Sequence, residues 1–237
     1  MNLIRKIILI IILLCIFFIT TQTKNDKMSY ISLGDGLSKG INQNNYKSYG
    51  YSDYISNYLK QNNKLKMYTK NFTDEDMRIT DLIEKIKDNE YTYINNNKIT
   101  IQNVIKNANI ITISVGINEI LYKYNNEVNE SYMYSYIEEC MNDMKELINL
   151  IKKYNNKKIV ILGYYNPKDN TKLDKFIINA NNELEKISNE EKINFISLYN
   201  IFKNNKHLIY NSNNYYPNQD GYKLIANEII KMLNFSK

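Results

Sequence analysis

The chain has 237 residues, of which 43% are hydrophobic and 24% charged, an ordinary balance for a globular domain with a core. The formal net charge is +6, but the lysines are scattered, with no arginine-rich cluster and no nucleic-acid motif, so we expect no nucleic-acid partner. With one histidine and two widely separated cysteines, Cys15 and Cys140, the sequence predicts no disulfide, no metal site and no cofactor.

The N-terminal segment, residues 1–24, is predicted to be a signal anchor or signal peptide. Arg5 and Lys6 precede an uninterrupted apolar run over residues 7–19. A basic n-region followed by an apolar stretch of this length is typical of a targeting segment. A buried core helix is the alternative interpretation.

The end of that segment favours an anchor that is not cleaved. No small-residue cleavage site follows the apolar run, and Leu14 precedes Cys15 where a lipoprotein signal has a small residue. The positive end is then expected inside and the domain, residues 25–237, on the extracytoplasmic face of the membrane. If the segment were cleaved, the domain would be secreted.

Strand-like and helix-like patterns alternate along the rest of the chain. In chain order, the patterns predict a strand at 28–33, a helix at 51–59, a strand at 65–71, helices at 79–86 and 101–108, a strand at 110–115, a helix at 134–154, a strand at 158–162, a helix at 172–187, a strand at 193–198 and a helix at 221–233. This alternation predicts an α/β fold, a three-layer α/β/α sandwich around a five-stranded parallel sheet.

Glycine is scarce, and its positions mark one edge of that sheet. Gly34, Gly116 and Gly163 end predicted strands, and Gly36 and Gly40 follow the first strand. Ligand sites of open parallel sheets lie at the carboxyl ends of the strands. The glycines therefore indicate where the rim of a site would be.

Five short blocks resemble, in order, the motifs of SGNH (GDSL-type) hydrolases. The blocks are 32–40 (SLGDGLSKG), 50–55 (GYSDYI), 116–119 (GINE), 162–167 (LGYYNP) and 216–222 (YPNQDGY). The first is similar to G-D-S-L-[ST]-x-G, the third to G-x-N-D and the last to H-P-N-x-x-G-Y. The chain is identified as a member of this family, in its short bacterial lipase/acylhydrolase-like branch. The resemblance covers residues 28–235 and implies the SGNH-hydrolase, flavodoxin-like fold.

The resemblance also implies a catalytic triad, and this chain departs from it. Family members hydrolyse esters with a serine of the first block and a D-x-x-H pair of the last. Here the three positions hold Gly36, Asn213 and Tyr216. Glycine cannot attack an ester, and a phenol with a pKa of about 10 is a poor base at neutral pH. Pro217 and Gly221 fix the register of the last block, which contains no histidine, so we predict that no triad residue is intact.

The oxyanion hole is predicted to be damaged as well. The family forms it from the N–H at the serine position, the last glycine of a further block that reads roughly N-x-G-x-S-G, and the asparagine of G-x-N-D. In this chain that further block lies at 71–76 (NFTDED). The equivalent positions are Gly36, Asp76 and Asn118. A carboxylate at Asp76 would repel a developing oxyanion by about 4 kcal/mol at about 4 Å and an effective dielectric of about 20.

Other polar residues of the blocks are candidates for a cleft. They are Asp35, Ser38, Asn118, Glu119 and Asn166. We expect Asp35 to hydrogen-bond its loop, and Ser38 to cap or pack at the start of the next helix. Asp35, Glu119 and Asp76 would form an acidic rim, although their spacing does not support a metal site.

Three functions remain open at this point. The leading interpretation is a pseudoenzyme that binds an envelope glycan, an acyl ligand or a protein partner in or beside the degenerate cleft. The second is a weak esterase that uses displaced residues, for which Ser38 and His207 are the candidate pair. The third is a structural or interaction domain whose former cleft is filled. Because a fold does not specify a function, the ligand stays unidentified.

Overall fold

The structure is a computed structural model that describes residues 5, 27–94, 96–126, 129–168, 170–209 and 216–234. The predicted anchor at 1–24, apart from Arg5, and the triad position Asn213 lie outside the described residues. Among the helices that are described, none combines the length and the apolar character needed to cross a membrane.

The centre of the molecule is a parallel sheet of five strands. Its strands are β1 (Met28–Gly34), β2 (Leu65–Thr69), β5 (Ile110–Ser114), β6 (Lys158–Leu162) and β7 (Asn194–Ile196), in the order β2-β1-β5-β6-β7. A separate antiparallel ribbon pairs β3 (Tyr91–Ile94) with β4 (Asn97–Thr100). The predicted five-stranded parallel sheet is confirmed.

Helices cover both faces of this sheet. They are α1 (Gly36–Lys39), α2 (Tyr51–Gln61), α3 (Ile79–Lys87), α4 (Ile101–Asn107), α5 (Ile117–Asn125), α6 (Glu130–Tyr154), α7 (Thr171–Glu190), α8 (Leu198–Lys203) and α9 (Gln219–Leu233), with a 3₁₀ turn at Lys206–Leu208. Side chains alternate along β1, so Ile31 and Leu33 enter one buried cluster while Tyr30 enters the other. The predicted three-layer sandwich is thereby confirmed.

Helices α1, α5 and α8 are not among the predicted elements, and the strand predicted at 65–71 ends at Thr69. Two further differences arise from local capping and pairing. The predicted strand at 193–198 ends at Ile196, since the Ser197 side chain accepts a hydrogen bond from Asn200 N and caps α8. The ribbon of β3 and β4 was not predicted. Its Tyr91 and Tyr93 side chains are exposed, so this segment lacks the apolar run that indicates a buried strand.

Close contact between β1 and β5 sets the position of the loop that carries the first block. Gly34 has φ +122°, and a Cβ there would lie 1.8 Å from the carbonyl oxygen of Ser114. Only glycine fits this conformation and this approach. The Asp35 amide can therefore donate to that same oxygen at 2.8 Å, which ties the exits of the two strands together.

Candidate functional site

The carboxyl ends of β1, β5 and β6 surround a small cavity. Asp35, Asn118 and Tyr216 line it together with apolar side chains such as Val115 and Leu162. Its volume is about 20 Å³, which holds about one water molecule. Small-molecule pockets usually measure several hundred Å³, roughly 300 or more. The cavity is therefore too small for an acyl chain or a sugar in this conformation.

The Tyr216 ring fills the space beside Gly36. A Cβ built on Gly36 would lie 2.2 Å from Tyr216 Oη and 2.5 Å from Tyr216 Cζ. Real Cβ atoms essentially never approach other atoms closer than 3.0 Å. Any side chain at position 36, serine included, thus requires the tyrosine to move. The two residues are sterically complementary.

The Tyr216 hydroxyl is protonated at neutral pH. Burial raises its pKa above the usual value for tyrosine, and the negative charges of Asp35 and Glu75 raise it further. A neutral phenol donates hydrogen bonds but does not remove protons efficiently. Tyr216 Oη lies 3.4 Å from the Glu75 carbonyl oxygen and donates to it.

Two of the predicted oxyanion-hole donors converge on that same carbonyl oxygen. The Gly36 amide donates to Glu75 O at 3.1 Å, and Asn118 Nδ2 donates to it at 3.2 Å. Oxyanion-hole donors are expected about 2.7–3.1 Å from the oxygen that they stabilise. Both predicted donors are therefore aimed at one point, and a backbone carbonyl of the chain occupies that point.

Asp76 lies next to this carbonyl, yet its carboxylate does not line the cavity. The Asp76 side chain is exposed and belongs to an acidic groove that also contains Asp74 and Asp81. The prediction that an Asp76 carboxylate repels an oxyanion in the hole is thus wrong, because this carboxylate does not enter the cavity. The Glu75 main-chain oxygen occupies the position instead.

Asp35 is the buried carboxylate of the cavity. Its Oδ1 accepts from Leu37 N at 3.0 Å, which caps α1, and from Ser114 Oγ at 3.0 Å. Its Oδ2 finds no hydrogen-bond donor within the described part of the chain. Burial raises the pKa of Asp35 to about 7, and the two hydrogen bonds oppose the shift.

A model of the GDSL-like lipase/acylhydrolase family matches residues 30–229. This chain belongs to that family. The lipase Lip_vut3 from a goat rumen metagenome is a similar solved structure, with 16% identity, a TM-score of 0.73, and coverage of 86% of this chain and 97% of that one. The acetylxylan esterase Axe2 of Geobacillus stearothermophilus has 15% identity, a TM-score of 0.65, and coverage of 88% and 95%. Identities this low show a shared fold alone, and no curated protein sequence matches the chain.

Within this GDSL-like fold, Ser38 faces the scaffold and not the cavity. Its side chain is fully buried, donates to Leu33 O at 2.7 Å and lies 2.9 Å from the Tyr51 hydroxyl. Asp35, and not Ser38, caps α1. His207 is exposed in the 3₁₀ turn. The structure therefore does not bring Ser38 and His207 together as a hydrogen-bonded pair.

Glu119 and Asn166 also lie away from the cavity. Glu119 Oε1 accepts from Ile79 N at 2.6 Å, so the carboxylate holds the first turn of α3 against α5. Asn166 Nδ2 donates to Asn170 O and to Asp174 Oδ1, both at 2.8 Å, beside a second cavity of about 90 Å³. Of the predicted cleft residues, the structure thus brings Asp35 and Asn118 together.

Two site features escaped the sequence analysis. The Glu75 carbonyl is a main-chain group, so no side-chain pattern reveals it. Tyr164 follows Gly163 in a quoted block, but its hydroxyl packs against Gly116 and lies 3.3 Å from Val115 O, a contact between two strand exits. In the described ranges, no cluster of three or more His, Cys, Asp or Glu side chains is arranged to hold a metal ion.

Proposed function

We propose that this chain is a catalytically inactive GDSL-like domain that acts by binding and not by turnover. The observation that carries the proposal is the steric fit of Gly36 to Tyr216. The nucleophile position has no side chain, and the base position holds a ring whose hydroxyl would lie 2.2 Å from any Cβ at position 36. Loss of a whole catalytic triad typically lowers turnover on the order of 10⁶-fold.

The occupied oxyanion hole supports the same proposal. Residual activity in triad-less hydrolases comes from the oxyanion hole and substrate binding. Here Gly36 N and Asn118 Nδ2 already donate to the Glu75 carbonyl oxygen. A substrate carbonyl would have to displace that oxygen before it could be polarised, so the residual route is blocked too.

The ligand that we propose is an envelope component or partner: a glycan, an acyl ligand or a protein. The basic n-region and apolar run of residues 1–24 support attachment to the membrane with the domain on its extracytoplasmic face. A similar structure is that of an acetylxylan esterase, which supports the glycan class, and another is a lipase, which supports the acyl class. Because the cavity measures about 20 Å³, we place the binding surface beside the cleft.

Turnover of short-chain p-nitrophenyl esters by the full chain, purified in detergent, tests the proposal. We expect a rate equal to that of buffer with detergent. Ser38→Ala serves as the variant for a displaced nucleophile, and Ser135→Ala, at an exposed helical serine, is its matched control. Neither variant is expected to change the rate.

Two results would contradict the proposal. Turnover that is lost on Ser38→Ala and kept on Ser135→Ala would establish a rewired esterase. Turnover that survives both changes and copurifies with the chain would establish a catalytic group elsewhere. The proposal is supported if the native chain, Ser38→Ala and Ser135→Ala all lack turnover. If a bulky side chain at Gly36 also leaves the binding of a glycan or acyl probe unchanged, the ligand binds beside the cleft.

A further inference from the structure

Residues 73–77, here called the strap, cross the carboxyl end of β1 and follow β2. The strap is held by main-chain bonds, because Asp74 N donates to Gly34 O at 3.1 Å and Gly36 N donates to Glu75 O at 3.1 Å. Asn118 Nδ2 reaches two of its carbonyls, Glu75 O at 3.2 Å and Met77 O at 3.3 Å. The side-chain amide of Asn118 thus links α5 to the strap.

We propose that the strap is an internal ligand of the cavity whose Glu75 carbonyl takes the place of an external carbonyl, and that Asn118 is its clamp. An amide nitrogen has two hydrogens to donate, and the geometry points both of them at strap oxygens. The Gly36 amide has a single hydrogen, which the same carbonyl receives. An incoming ligand must therefore break these bonds before it can use either donor.

The residue at position 76 decides which way the critical peptide faces. The peptide that joins Glu75 to Asp76 turns its C=O into the hole, so its N–H points away. The family resemblance places at this position a glycine whose N–H serves the oxyanion. Reversal of the peptide rotates φ of residue 76 by roughly 180°, toward positive values that glycine adopts and aspartate resists.

The backbone agrees with that assignment. Asp76 is not among the residues with positive φ, a set that does include Asn63, Asn89 and Asn96. Asp76 therefore stabilises the orientation in which the hole contains an acceptor. Glycine at position 76 would remove the penalty on the opposite orientation and convert the hole from filled to open. This inference concerns occupancy of the donors and stands whether or not the chain turns over esters.

Amide hydrogen exchange on the full chain in detergent micelles tests the clamp. In Asn118→Ala we expect the Gly36 and Asp74 amides to exchange about tenfold faster or more, because two hydrogen bonds to the strap are lost. Asn118→Asp, which keeps the size but replaces the donor by an acceptor, should accelerate them further. Asn166→Ala removes an amide that holds a different loop and is the matched control.

The amides of Ile111 and Ile113 in β5 report whether a variant is folded, since they should exchange at the native rate throughout. If Asn118→Ala leaves Gly36 and Asp74 exchange unchanged while β5 is intact, the clamp does not exist and the proposal fails. If the β5 amides also exchange faster, the variant has lost global stability. The comparison of Asp76→Gly with the native chain then decides the proposal.

That comparison uses acetate as a small carboxylate probe. In the native chain we expect no acetate-dependent NMR shift at the Gly36 amide or the Asn118 side-chain amide. In Asp76→Gly we expect a saturable shift at both, and in Asp88→Gly, which alters an exposed aspartate outside the strap, none. A saturable acetate-dependent shift in the native chain would show that the two donors are vacant. The lack of such a shift in Asp76→Gly would show that residue 76 does not control the occupancy of the donors. Either result overturns the proposal independently of ester turnover.

Discussion

Asp35 and Ser38 lie about one helical turn apart in the same block, yet their surroundings differ. The Ser38 hydroxyl has bonded partners in Leu33 O and the Tyr51 hydroxyl, within a buried network that continues to Thr112. Asp35 faces the cavity with one oxygen that lacks a donor among the described residues. Buried polar groups are normally hydrogen-bonded, and each exception calls for a physical explanation.

The contrast separates a scaffold side of the block from a cleft side. The scaffold side keeps block residues that bind one another, as Tyr51 does with Ser32 and Ser38. The cleft side keeps the buried carboxylate but fills the adjacent space with Tyr216 and the Glu75 carbonyl. Residues of one family motif can thus hold the scaffold while a neighbouring residue of the same motif lines the cavity.

The largest expected effect comes from replacing the buried carboxylate of Asp35 by a neutral amide. The pKa of Asp35 is about 7 in the folded chain against about 3.9 when unfolded. The folded state therefore binds more protons between these values, and its stability falls as pH rises through that window. Asp35→Asn should leave the free energy of unfolding nearly unchanged at about pH 4 and raise it by about 4 kcal/mol at about pH 8.

Urea unfolding at the two pH values measures this difference. Asp88→Asn, at an exposed aspartate, is the control and should change the free energy of unfolding by less than about 0.5 kcal/mol at both. An equal effect of Asp35→Asn at low and high pH would show that Asp35 is satisfied, and the contrast between the two ends of the block would disappear.

A double-mutant cycle between Gly36 and Tyr216 should show the next largest effect. Gly36→Ala introduces a Cβ that overlaps the tyrosine ring, so we expect it to lower the free energy of unfolding by about 2 kcal/mol. In the Tyr216→Ala background the overlap is gone, and the same change should cost nearly nothing. Equal costs in the two backgrounds, measured by denaturant unfolding, would disprove the steric coupling.

The smallest effect is expected on the scaffold side. Ser38→Ala removes the donor to Leu33 O and one partner of Tyr51, whose hydroxyl retains Ser32 and Thr112. We expect a loss of about 1 kcal/mol in the free energy of unfolding. Ser135→Ala, at an exposed position, should stay within about 0.5 kcal/mol. A neutral Ser38→Ala would mean that the network does not stabilise the scaffold.

The sequence by itself determined the sheet and most helices, and its resemblance to the family predicted that the triad side chains are missing. Short, β-branched apolar runs that end at Gly34 and Gly116, between helical segments, indicate buried parallel strands. The identity of Gly36 likewise excludes a nucleophile at that position whatever the fold. The strands and helices depend on residue type and periodicity, which are local properties of the chain, whereas the position of the nucleophile depends on the resemblance to the family.

Only the tertiary structure decided how the cleft is filled. The Tyr216 ring reaches Gly36 from 180 positions further along the chain, and no spacing rule specifies such a contact. The Glu75 carbonyl turns toward Gly36 and Asn118 because of backbone torsions, which a residue name constrains only weakly. Side-chain identity therefore determined that position 36 has no nucleophile. Long-range packing and the orientation of one peptide decided that the Tyr216 ring and the Glu75 carbonyl occupy the space beside it.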